Sequence, residues 1–143
     1  MEKVNVYVEA EINPTEAEDK VKKAVENIFG NMPLQTKLQP RHRGDLVSAE
    51  SNGVEALTKL YSLLRRERIR DAARKVFFEG LNGDTISFYL NKQAAYAGHV
   101  SFCQEVAESP LGPIKVKIKS ENPRELIHWL TSKEDQRPFN ELR

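Results

Sequence analysis

Apolar and polar residues alternate at the start of the chain, where Val4, Val6 and Val8 are separated by Asn5 and Tyr7 and Ile12 closes the run. A period of two with one apolar side predicts a strand that buries a single face. The period then changes. In "NPTEAEDKVKKAVENIFG", Val21, Ala24, Val25, Ile28 and Phe29 recur at steps of three and four, the spacing of a helix that packs by one stripe. Thr15 stands three residues before Glu18, the arrangement of a capping box, and Gly30 holds the place of a left-handed cap. Two short alternations, around 34–38 and 46–48, read as strands joined by "QPRHRGD". From about Gly53 to Glu79, Leu57, Leu60, Tyr61, Leu64, Ile69, Ala72, Ala73, Val76 and Phe77 form an apolar stripe that predicts one long helix, ended by Gly80.

Beyond Gly80 the alternation returns. A turn at Asn82-Gly83-Asp84 leads into Ile86, Phe88 and Leu90, and "PIKVKIK" sets Ile114, Val116 and Ile118 against Lys115, Lys117 and Lys119. "NPRELIHWL" reads as a short closing helix with Pro123 in its first turn. Strands in consecutive runs and few helices predict an α+β fold: a mostly antiparallel sheet with two main helices on one face and a short C-terminal helix. The expectation is a single domain over residues 1–132 followed by a polar tail over 133–143. Its core should hold Val4, Val6, Val8, Val25, Leu57, Leu64, Val76, Phe88, Val116 and Trp129.

Charge changes the picture more by distribution than by sum. The 143 residues carry 22 basic and 21 acidic side chains, so no strongly basic or acidic tail dominates. Residues 37–75, however, hold ten basic against five acidic side chains. Within "RRERIRDAARK", a continuous helix would place Arg66, Arg70 and Arg74 in a ladder of four-residue steps, able to grip successive phosphates. Arg41, His42 and Arg43 from the preceding loop would extend that patch. Pairing with Glu67, Asp71 or acids of the first helix is the competing expectation.

The least generic stretch is "LNKQAAYAGHVSF", residues 90–102. Ala94, Ala95, Ala97 and Gly98 have little volume and suit a tight packing corner. Asn91, Lys92 and Gln93 would follow a strand directly, where a loop can present exposed donors.

Catalytic chemistry is not evident. His99 and Cys103 would face one way in an extended strand, but no nearby acid in sequence orients the histidine. The three histidines are scattered without cysteine partners at ligand spacing, and the glycines form no phosphate-binding loop, so neither a metal nor a cofactor is expected. A lone cysteine fits a reducing compartment, and the sequence has neither an apolar signal core nor a membrane-length apolar run, so a cytoplasmic protein is expected. Phe77, Phe78 and Tyr61 are more apolar bulk than one helix side easily hides, which keeps open a homodimer or another non-catalytic interaction domain with no nucleic-acid role.

"NPTEAEDKVKKAVENIF", "LNKQAAYAGHVSF", "LGPIKVKI" and "LIHWL" together resemble the pattern of an archaeal family, uncharacterised protein family (UPF) 0201. The resemblance spans most of the chain. It implies an α+β fold similar to a double-stranded-RNA-binding domain, or to the ribosomal protein that holds the small RNA of the large subunit, and a role in binding RNA. Structured RNA is then the expected partner, since duplexes are recognised through phosphates, 2′-hydroxyls and shape. The chain lacks the exposed aromatic pair of an RRM-like signature. The expected contact residues are Arg43, Arg66, Arg70, Arg74, Asn91, Lys92 and Gln93.

Overall fold

The computed structural model describes residues 3–37, 44–104 and 112–133. Its elements run β1 (Val4–Ile12), α1 (Glu18–Phe29), β2 (Leu34–Lys37), β3 (Asp45–Asn52), a 3-10 turn (Val54–Leu57), α2 (Thr58–Arg66) and α3 (Arg70–Glu79). They continue through β4 (Leu81–Asn82), β5 (Thr85–Asn91), α4 (Lys92–Tyr96), β6 (Phe102–Cys103), β7 (Pro113–Ser120) and α5 (Pro123–Thr131). The fold is α+β.

Seven strands form one antiparallel sheet in the order β2-β3-β1-β7-β5-β4, with β6 also against β5. Register explains the core. Val6 lies opposite Ile118 and Val8 opposite Val116, while Ile86 and Phe88 flank the same two β7 residues from the other side. The apolar face of three neighbouring strands is therefore continuous. Val21, Val25 and Ile28 of α1, Leu60 and Leu64 of α2, Phe77 of α3 and Leu126 and Leu130 of α5 close over it in a single cluster. Each such side chain contributes about 1.5–3 kcal/mol on leaving water. The opposite face carries Asn5, Tyr7 and Glu9 from β1, Lys115, Lys117 and Lys119 from β7, and Ser87 and Tyr89 from β5.

All the expected core residues are buried except Val76, which is only partly covered at the edge of α3. Three local expectations also need correction. The Thr15–Glu18 capping box does not form: α1 begins at Glu18 after Ala17, with no side-chain cap. Glu16 is used elsewhere, accepting from the backbone N–H and the side-chain amide of Asn13, each at 3.0 Å. The stripe from Gly53 to Glu79 is not one helix but a 3-10 turn and two α-helices. Finally, the surplus apolar bulk is hidden within the chain: Phe77 and Tyr61 are buried, Tyr61 stacks on Trp129 with ring centroids 4.7 Å apart, and Phe78 is half-buried.

The break between α2 and α3 has a definite geometry. Arg68 has a φ of 57°, while Ile69 N–H bonds Leu64 O and Arg68 N–H bonds Arg65 O, both at 3.1 Å. That pair of bonds with a left-handed residue between them is a Schellman stop. At Gly80, which ends α3, an added Cβ would collide with the Ser87 carbonyl, so the helix can sit against β5 only with glycine there.

Candidate nucleic-acid interface

The broken helix redistributes the arginine ladder. Arg66 ends α2, whereas Arg70 and Arg74 belong to α3, so the four-residue step survives only between the last two. The Arg66 side chain is 65% exposed; its Nη2 donates to Gly98 O at 3.1 Å and lies 3.6 Å from the Glu67 carboxylate. Arg70 turns the other way and donates to Ser132 O at 3.2 Å. Arg74 lies 3.4 Å from both His128 Nδ1 and Thr131 Oγ1, and its guanidinium is 5.5 Å from the centre of the Phe78 ring. Arg68 projects from the elbow into solvent. The row thus reaches from α4 on one side to the end of α5 on the other. Arg43 lies outside the described residues.

Arg65, absent from the expected set, explains why the row is well held. It follows Tyr61 by one turn, at the margin of the buried stripe, and its guanidinium lies 3.4 Å from the Tyr61 ring centre. From there it donates to Leu130 O at 3.0 Å, Trp129 O at 3.2 Å and Ser132 O at 2.7 Å. A cation placed on the last carbonyls of α5 satisfies acceptors that have no helical partner and complements the helix dipole. Four-residue spacing from an aromatic in an apolar stripe was the available sequence signal.

The strand-end motif contains more order than a loop. Asn91 caps α4, its Oδ1 accepting from Ala94 N–H at 2.8 Å. At the other end His99 N–H bonds Ala94 O and Gly98 N–H bonds Ala95 O, both at 2.9 Å, with Gly98 at a φ of 88°. This is a second Schellman stop. Asn27 of α1 adds side-chain bonds to Ala95 O and Tyr96 O at 3.0 and 2.9 Å. The packing-corner expectation holds for Ala95, which is fully buried, but not for Ala97, which is exposed, or for Gly98, where an added Cβ would meet nothing within 4 Å and the positive φ is what calls for glycine.

Lys92 is not an exposed donor. It is only 5% exposed, donating to Glu11 O at 2.6 Å and to Glu16 Oε1 at 3.0 Å. Burial alone would push the Glu16 carboxyl up, but the bonds from Asn13 and Lys92 outweigh it and hold the group below its ordinary value. Lys92 thus ties α4 to the β1–α1 connection, and Gln93 is the exposed member of the trio. Beside it opens a cleft of about 400 Å³ between the start of α1 and α4.

His99 and Cys103 are not set on one extended face. The strand comprises only Phe102 and Cys103, and His99 Nδ1 instead lies 3.4 Å from Glu67 Oε2 at the elbow. The other Glu67 oxygen accepts from Val100 N–H at 3.2 Å, so this acid fastens the α4 exit to the end of α2. Among the described residues no group of three His, Cys, Asp or Glu side chains is placed to hold a metal, and no helix is long and apolar enough to cross a membrane.

The open sheet face is the other cationic region. Tyr7 and Tyr89 flank the β7 lysines there, an aromatic pair that the sequence pattern did not disclose. Tyr7 sits in acidic company: burial, a hydrogen bond with Glu9 and the charges of Glu9 and Glu50 push its hydroxyl up to about 12. Lys115 is opposite Glu9, and Lys119 is 3.9 Å from Asp84. The lysine column therefore lies beside acids.

A UPF0201 protein of Sulfurisphaera tokodaii is 44% identical to this chain over 128 residues, covering 90% of this chain and 87% of the relative. The chain belongs to the UPF0201 family. Another member, from Aeropyrum pernix, is 41% identical over 129 residues, covering 90% of this chain and 85% of its own length. A family model described as RNA binding matches residues 5–120. The crystal structure of the UPF0201 protein from Methanococcus jannaschii superposes with a TM-score of 0.80 at 35% identity, over 89% of this chain and 98% of that one. UPF0201 membership thus agrees with the α+β architecture.

Proposed function

We propose that this UPF0201 protein binds structured RNA, as a binding protein and not a catalyst, by gripping phosphates at the elbow between α2 and α3. The observation that carries this reading is the exposure of Arg66 and Arg68 beside Arg70 and Arg74, on a backbone fixed by the Schellman stop and by Arg65. Guanidinium groups present forked donors that match phosphate oxygens, and paired RNA offers phosphates and 2′-hydroxyls more readily than base edges. The open sheet is the weaker candidate, since Glu9, Glu50 and Asp84 offset its lysines.

The test is salt-dependent binding to an RNA hairpin. Replacing Arg66 and Arg68 together by Gln should weaken binding and reduce the log–log salt slope by roughly 1.5–2 units, because fewer counterions are displaced. Replacing Lys115, Lys117 and Lys119 together by Gln should change the slope much less. Lack of salt-sensitive binding by the unaltered protein at micromolar concentration would sink the proposal, and a slope lost only with the lysines would move the interface to the sheet.

A further inference from the structure

Tyr96 is the large hydrophobic side chain left exposed among the described residues, at 46%. Its backbone is unusually fixed for a surface aromatic. Asn27 holds the Tyr96 and Ala95 carbonyls, and the turn at Gly98 closes the helix immediately after it. The ring borders the cleft of about 400 Å³, which also presents Thr15, Lys20 and Gln93 over a floor formed by the Lys92–Glu16 pair. That volume is in the range of small-ligand clefts, about 300–1,000 Å³. The Lys20 ammonium stands 5.9 Å from the ring centre, so a cation accompanies the aromatic surface. The floor pair is internally neutralised, which leaves Lys20 as the cation lining the opening.

The elbow reaches the same helix: Arg66 donates to the carbonyl of Gly98, two residues beyond Tyr96 in the chain. An aromatic face accepts any base by stacking, a side-chain amide can hydrogen-bond a base edge, and an ammonium attracts the adjoining phosphate.

We propose that Tyr96, Gln93 and Lys20 form a subsite for one unpaired base, extruded from the RNA next to the paired region that the arginine row grips. Tyr96 stacks on the base, Gln93 meets its edge and Lys20 holds the neighbouring phosphate. This inference rests on the RNA-binding reading and specifies its substrate as a helix with a bulged or flanking unpaired nucleotide.

The experiment compares a fully paired hairpin stem with the same stem carrying one bulged 2-aminopurine. The unaltered protein should bind the bulged RNA roughly tenfold tighter, the effect of one base–aromatic stack, and quench the 2-aminopurine fluorescence. Tyr96→Ala should abolish both the preference and the quenching, while affinity for the paired stem and its salt slope stay unchanged. Tyr96→Phe should retain both, since it keeps the ring. Gln93→Ala should change the ranking of the four natural bases at the bulge.

Failure of the unaltered protein to bind either RNA would overturn the RNA-binding reading and this inference together. Equal binding of paired and bulged stems, or quenching that survives Tyr96→Ala, would overturn the subsite alone and leave the elbow reading standing. Should Tyr96→Ala instead convert a dimer to a monomer in sedimentation with the RNA preference intact, the exposed ring is a subunit contact and the subsite is rejected.

Discussion

Helices α2 and α4 end in the same pattern of hydrogen bonds, yet the left-handed position is filled by Arg68 in one and Gly98 in the other. Glycine adopts that conformation freely and leaves a bare carbonyl, which Arg66 uses to join the two helix ends. Arginine accepts backbone strain and places an exposed cation at the elbow. One motif therefore makes a socket, and the other makes a contact. The same division runs through the neighbouring side chains: Arg65 and Lys92 turn inward and hold structure, whereas Arg66 and Gln93 turn outward and stay exposed.

The division is broken most severely at its inner side. Lys92→Ala should destabilise the protein by about 3–5 kcal/mol in urea denaturation, because it removes two charge-assisted hydrogen bonds of a buried ammonium and leaves the Glu16 carboxylate with its bonds from Asn13. A loss below about 1 kcal/mol would show that water replaces the lysine easily and that packing and the Asn27 bonds hold α4 without it. Arg65→Ala should follow, at about 2–3 kcal/mol, since it removes bonds to two α5 carbonyls and to that of Ser132 just beyond, together with the contact with Tyr61. Its neighbour supplies the contrast. Arg66→Ala should lie within about 0.5 kcal/mol of the unaltered protein, as exposed substitutions usually do.

The two helix ends can be exchanged directly. Gly98→Ala should cost about 1–2 kcal/mol from the positive φ alone, because an added Cβ meets nothing within 4 Å. Arg68→Gly should do the reverse and raise stability by up to about 1 kcal/mol, while weakening binding to hairpin RNA at low salt. Thermal denaturation and a salt titration on the same two variants separate the stability effect from the binding effect. If Arg68→Gly stabilises without affecting RNA, the elbow cation has no role in recognition.

Much of this architecture is written in side-chain periodicity. The alternations at Val4–Val8, Ile86–Leu90 and Ile114–Ile118 are the inward face of β1, β5 and β7, and the stripe from Val21 to Phe29 is the buried side of α1. Gly30 and Pro123 mark helix ends where they occur because one frees and the other restricts the backbone locally, while Gly80 ends α3 where the Ser87 carbonyl leaves no room for a Cβ. These features depend on residues close together in the chain, and sequence exposes them. The stop at Arg68 does not belong to that class: a left-handed arginine carries no composition signal, and the apolar stripe passes through Ile69 without interruption.

What the sequence determined by itself was the α+β pattern, the apolar faces and the presence of a cation-rich stretch at 65–75, since local spacing decides which side of an element is apolar. Tertiary structure decided which of those cations are available. Arg65 meets the end of α5, some 65 residues away in sequence, and Lys92 meets Glu11 and Glu16, more than 75 residues away. A charged group is drawn inward only where unsatisfied carbonyls or a carboxylate await it, and those acceptors are brought there by the fold.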